Sequence, residues 1–274
     1  MIDATYRIVA PPVDTALSAV DMAISNRIIT LNIVLAALAI IFALREWRKT
    51  NSPIPLLLII GGAITNLAEP FVDLNGACWH PIIGQSAIFE NMGRPMPFWL
   101  LTTYVCYFGI LPWLIYRAFS KGATRRTMWL WFLVPVIVDI ILEETLLGQS
   151  DHLYVYYANQ PLKLNVFPLW WAASNTIGVY VSGVVMTLFA SRLTGWKLAF
   201  VPFCTLLCYA ASSGVVAWPS TVVINSEFSP LVTQLGGIGS FVIAFLVVHA
   251  CTLLIAKDAP QDVRNMIAGN LSQA

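Results

Sequence analysis

Charge is what this sequence has least of. Only 11% of its 274 residues are charged against 58% hydrophobic, where soluble chains run near a quarter charged. With a mean hydropathy of +0.75, the chain is not one whose main solvent is water. Histidine is scarce as well: there are 3, none paired at ligand spacing, which disfavours the histidine-rich non-haem di-iron membrane enzymes. Cys78, Cys106, Cys204, Cys208 and Cys251 form no paired motif, so four read as small apolar packers while Cys78 stays open. A glycine-rich phosphate cradle, a Gly-x-Ser-x-Gly elbow and a His-Glu-x-x-His motif are all missing, which leaves the motif-defined hydrolases unsupported. No lysine precedes Lys257 in the last apolar stretch, so a retinal Schiff base has no attachment point. Basic patches suited to nucleic acid, fixed-period repeats and low-complexity segments are also lacking, and neither an array nor an inverted-repeat transporter gains support.

What the chain has in quantity is long apolar runs. A bilayer core takes about 20 apolar helical residues to cross, and seven windows approach that length: 28–44, 54–72, 97–116, 127–147, 167–190, 197–218 and 235–256. They are too long for barrel strands and lack their alternation, and open sheet in lipid would strand backbone groups. The expectation is an all-α, polytopic bundle of about seven transmembrane helices. It forms one membrane domain over 27–257, preceded by an amino-terminal segment 1–26 and followed by a tail 258–274. The amino-terminal segment holds Asp3, Arg7, Asp14 and Asp21 and no signal-peptide core. Its Val13, Leu17, Val20 and Ile24 recur at helical spacing, as in a short helix lying in the membrane interface.

Cationic residues divide unevenly between the two faces. Arg45, Arg48, Lys49, Arg117, Lys121, Arg125, Arg126, Arg192, Lys197, Lys257 and Arg264 fall on one face, and Arg7, Arg27, Arg94 and Lys163 on the other. Because cationic loops resist translocation, the richer face is expected to be cytoplasmic, with the amino terminus outside and the carboxyl terminus inside. The membrane would be a bacterial plasma membrane or, in a eukaryote, the endoplasmic reticulum.

Acids inside such windows are costly and mark candidate function. In the second window Glu69 and Asp73 are four apart and share a face, with Pro70 between them loosening the helix and freeing backbone acceptors. In the fourth, Asp139 and Glu143 repeat that spacing beside Glu144. Both windows run outward, so the four acids meet at one depth in the outer half. The connections there add Trp79, His80, Tyr154, Tyr156, Tyr157 and Asn159, and the fifth window opens with Trp170, Trp171 and Asn175. Carboxylates sharing a medium of low dielectric cannot all stay ionised, so at least one is expected to hold its proton near neutral pH. Of the adjacent Trp170 and Trp171 at most one can face a cavity, and Trp99, Trp113, Trp129, Trp131 and Trp196 read as an interfacial belt.

The run Pro53-Ile54-Pro55-Leu56-Leu57 leading to Asn66-Leu67-Ala68-Glu69 resembles the second helix of the small seven-helix membrane terpene cyclases of meroterpenoid and indole-terpenoid biosynthesis, over about twenty residues. The resemblance implies that Glu69 belongs to acid machinery protonating an epoxide or alkene. That family's other acid lies towards its last helix; here the last window has none, and Glu227 or the fourth-window acids would substitute. On this reading Glu69 is the proton donor, assisted by Asp73, Asp139 and Glu143. Asn66 and Asn175 orient the substrate, and Trp79, His80, Tyr104, Tyr107 and Trp170 line the cavity. The partner is a lipophilic, isoprenoid-type small molecule drawn from membrane lipid, with no cofactor; an all-carboxylate metal site stays open as an alternative, as does a proton- or cation-coupled transporter using the same carboxylates.

Overall fold

The computed structural model of the protein describes residues 9–260; Asp3, Arg7, Arg264 and the tail from residue 261 onward lie outside them. The chain is mostly helical, and six of its helical segments are long and apolar enough to cross a membrane, which makes this an integral membrane protein. The first is α1 (Ala19–Thr50), started by a reciprocal cap in which Ser18 and Asp21 bond each other's backbone N–H. Residues 9–18 have no regular secondary structure, so the expected interfacial helix does not form. Instead Asp14 takes hydrogen bonds from the Ile82 and Ile83 amides, and Val20 and Ile24 belong to α1.

The second segment is α2 (Ile54–Thr65) followed by α3 (Glu69–Gly76), broken at Asn66–Ala68 by a 3-10 turn. Proline at position 70 cannot donate to the carbonyl four residues back, and the turn sits where that bond would be. The third is α4 (Phe98–Tyr104), a π-helical stretch Val105–Ile110, and α5 (Leu111–Phe119). Pro112 again removes a helical donor, and the widened turn absorbs it. Two glycines let these segments touch: a Cβ on Gly62 would stand 2.7 Å from the Gly109 nitrogen, and one on Gly109 would stand 2.9 Å from the Ile59 Cα.

Then come α6 (Arg125–Gln149), α7 (Leu169–Phe189), α8 (Val201–Val215), a short α9 (Trp218–Ile224) and α10 (Pro230–Ile255). With their flanking 3-10 turns, α7 and α8 complete spans at Leu169–Arg192 and Gly195–Val215, and α10 is the sixth. Helix α6 matches them in length but carries Asp139, Glu143 and Glu144 in its second half. At the centre, α7 packs against α5, α6, α8 and α10. The outward faces of α1, α6, α8 and α10 leave Leu31, Phe42, Val134, Ile141, Leu207 and Leu246 exposed, a belt that water would not tolerate and lipid would.

Two connections close one end of the bundle. Strands β1 (Cys78–Trp79) and β4 (Val155–Tyr156) pair antiparallel, and β2 (Ala87–Asn91) with β3 (Arg94–Pro97) forms a hairpin turned by Met92 and Gly93, both at positive φ. These small sheets amend the purely helical expectation; residues this short in extended runs give no periodic signal of their own. Asp21, fully buried, ties the start of α1 to the same cap by accepting from the Asp151 and His152 amides at 2.9 and 3.0 Å.

Candidate functional site

Under that cap lies a hollow of about 90 Å³, enclosed by α3, α4, the π-helical stretch, α6, α7, α8 and the loops that carry β1 and β4. Three of the four predicted acids reach it: Glu69, Asp139 and Glu143. Of the two four-apart pairs, Asp139 and Glu143 both line the hollow, whereas Glu69 does so without Asp73; the acids of α3 and α6 still meet there.

Each carboxyl is held by its own donor. Glu69 accepts from the Tyr104 hydroxyl and, at 3.0 Å, from Tyr209, and those two phenols lie 3.1 Å apart. Glu143 accepts from Tyr154 and, at 3.5 Å, from Tyr156. Asp139 accepts from the Asn175 side-chain amide at 3.3 Å. Burial pushes the Tyr154 and Tyr156 phenols above their ordinary range, reinforced by the neighbouring Glu143 carboxyl, so both remain donors. Eight aromatic side chains line the hollow, with Trp99, Tyr107, Phe108 and Trp171 completing the set begun by these four tyrosines.

Several predicted residues stand elsewhere. Asp73 is fully buried but does not line the hollow; it stands 3.4 Å from the His80 Nε2. Asn66 is buried in the 3-10 turn, with no hydrogen-bond partner for either amide atom among the described residues. Trp79 lies under the Arg94 guanidinium, 5.0 Å from its centroid. Trp170 turns away to donate to Gln160 at 3.2 Å, and it is Trp171 that faces in, packed where a Gly76 side chain would be. Successive helical residues point about 100° apart, so the pair had to divide. His80, Tyr104, Tyr107 and Asn175 do line the hollow. Glu227 is exposed before α10, and Glu144 instead caps a loop by accepting from the Val166 and Phe167 amides.

Trp99, expected in an interfacial belt, lines the hollow and stacks on Tyr154 at 5.4 Å. Trp113 is buried also, donating to Glu46 at 3.4 Å. Tyr209 is the main residue that sequence reasoning missed. The signal was available: it is the lone phenol in its window, and a tyrosine hydroxyl in lipid needs a partner.

Burial, with help from Arg94, pushes His80 down to about 3; an ionised Asp73 at 3.4 Å would act oppositely, but desolvation is the larger influence and the imidazole is neutral. The arrangement as a whole defines a helical integral membrane protein with a buried site of acids and aromatic rings. Comparison with protein-family models, with curated proteins and with solved structures finds no match.

Proposed function

We propose that this chain is a seven-span membrane enzyme of the terpene-cyclase kind, which protonates a lipophilic isoprenoid-type substrate and lets it cyclise. In this reading α6 is the seventh span, the capped end and the amino terminus face the non-cytoplasmic side, and the carboxyl terminus is cytoplasmic, in a bacterial plasma membrane or the endoplasmic reticulum. The observation that carries the proposal is the Glu69 carboxyl fixed between two phenols in a buried hollow walled by aromatic rings. Its similarity in the Asn66–Glu69 stretch to membrane terpene cyclases points the same way.

Glu69 delivers its proton to an epoxide oxygen or an alkene carbon, the C–O bond or π bond breaks, and a cation forms. A second double bond attacks it and closes a ring, while ring faces stabilise the travelling charge. Loss of a proton to an ionised Asp139 or Glu143 then restores a neutral product, an isomer of the substrate, and return of that proton to Glu69 across the hollow resets the site. No electrons enter or leave, so no organic cofactor is called for.

A hollow of about 90 Å³ is below the roughly 300 Å³ of ordinary ligand sites, so it takes the reacting end alone. The remainder has a place nearby. Tyr107 also borders an apolar groove of about 400 Å³ along Leu111, Leu130, Val134, Val138 and Leu142, on the exposed side of α6. A prenyl tail lying there would reach the acids from lipid without crossing water.

A carrier would need polar groups continuing to the opposite end. On α7 the Ser182 and Thr187 hydroxyls are spent on their own helix, on the Gly178 and Gly183 carbonyls, which favours an enzyme. Membranes carrying the protein, given linear and epoxidised prenyl compounds, are expected to yield cyclic isomers, and Glu69→Gln membranes none. Equal conversion by both would remove Glu69 from the mechanism. Substrate-dependent proton flux in sealed liposomes without conversion would instead establish the carrier.

A further inference from the structure

Asp73, Cys78 and His80 are the buried polar residues that the acid chemistry leaves unused, and they converge. One donor atom from each, a carboxylate oxygen, the Cys78 sulfur and a His80 ring nitrogen, lies within 4.8 Å of the other two. Asp73 lies in α3, which ends at Gly76; Ala77 then takes a left-handed conformation at φ 54° and turns the chain back. Cys78 and His80, two apart on an extended segment, point to one side. Asp73 is 0% exposed and His80 2%, yet neither Asp73 oxygen and neither His80 nitrogen has a hydrogen-bond partner among the described residues. Four buried polar atoms left without bonds would be costly unless something else satisfies them.

We propose that these three residues form a site for a divalent transition ion of the zinc class, with a fourth position open to the acid hollow that Cys78 and His80 border. Metal bonds of roughly 2.0 to 2.3 Å at tetrahedral angles set ligand atoms roughly 3.3 to 3.8 Å apart. The His80 and Asp73 atoms stand at 3.4 Å already, and since the thiol lies within 4.8 Å of both, closure of the site asks at most about 1.5 Å of it. Sulfur with nitrogen and one carboxylate selects zinc-like ions over magnesium or calcium, which take oxygen.

The same three residue types could instead form a nucleophile–histidine–acid relay. A relay places the imidazole between the other two, each at roughly 3 Å from a different ring nitrogen, which drives sulfur and carboxylate apart. Here the sulfur and a carboxylate oxygen lie within 4.8 Å of each other as well as of the ring nitrogen. Arg94, 2% exposed, donates to the Cys78 carbonyl at 3.0 Å and to the Tyr157 hydroxyl at 2.6 Å. It thereby anchors the backbone that presents the thiol.

The test needs no substrate, so its outcome is separate from that of the cyclase reading. Full-length protein purified in detergent, loaded with Zn²⁺ and washed, is measured by elemental mass spectrometry. About one zinc per chain is expected, falling at least tenfold in Cys78→Ser and His80→Gln and unchanged in Glu143→Gln, each variant checked for helical circular dichroism. Co²⁺-loaded wild type is expected to show sulfur-to-cobalt charge-transfer absorption, a readout that stands even should a variant fail to fold. Wild type holding less than a tenth of an equivalent, metal retained equally by both ligand variants, or cobalt bound without a sulfur band would each overturn the site.

Discussion

A carboxyl taken out of water must find donors or lose its place, and the tyrosines of this site meet that need one acid at a time. Glu69 depends on Tyr104 and Tyr209, Glu143 on Tyr154 and Tyr156, Asp139 on Asn175. Removing the proposed general acid, Glu69→Gln, is expected to cut conversion of a prenyl substrate by about 10²- to 10⁴-fold, read as product formed per unit of membrane protein. Tyr209→Phe removes one donor and leaves the acid, and a neutral hydrogen bond is worth about 0.5 to 1.5 kcal/mol. Its expected effect is a loss of up to about tenfold, with Tyr104→Phe,Tyr209→Phe losing more than either alone. The acids were legible in the sequence because charge inside an apolar window announces itself. Their partners were not: Tyr209 is far from Glu69 along the chain, and Trp99 looked like any tryptophan near a membrane surface until its stacking on Tyr154 was seen.

At the scale of elements, helix breaks place the chemistry. The 3-10 turn at Asn66–Ala68 leads directly into Glu69, and the π-helical stretch at Val105–Ile110 brings Tyr107 and Phe108 to the hollow; each answers a proline. Sequence marked the first through Pro70 but not the second, because whether Pro112 kinks, widens or merely begins a turn depends on what α2 presents to it. What α2 presents is Gly62, with the Tyr104 carbonyl as well as Gly109 in the way of any side chain. Gly62→Ala is therefore expected to destabilise the protein by about 1 to 3 kcal/mol, seen as a lower melting temperature in detergent. Gly76→Ala acts closer to the site: its Cβ would fall 2.0 Å from Trp171 Cζ3. That ring has to leave the hollow's wall, and activity is expected to fall along with stability. The strands of the cap, two to five residues long, were below what alternation can reveal.

For the whole molecule, the apolar windows anticipated each long helix, though α1 (Ala19–Thr50) extends well beyond its window at both ends, because length in lipid follows bilayer thickness while polar ends are set by caps and loops. Which way the bundle faces rests on the cationic asymmetry of its loops. A cysteine placed at Gly93 in the hairpin turn is expected to react with an impermeant maleimide added to the non-cytoplasmic side, and one at Ser120 only after permeabilisation. The reverse pattern would invert the topology. Function at this scale depends on whether the acids communicate with lipid rather than with water. That is tested by treating membranes with a hydrophobic carbodiimide or with a water-soluble one, then locating modified carboxyls by peptide mass spectrometry. The account predicts modification of Glu69 or Glu143 by the hydrophobic reagent alone. Labelling by the water-soluble reagent to the same extent, or by neither, would contradict it.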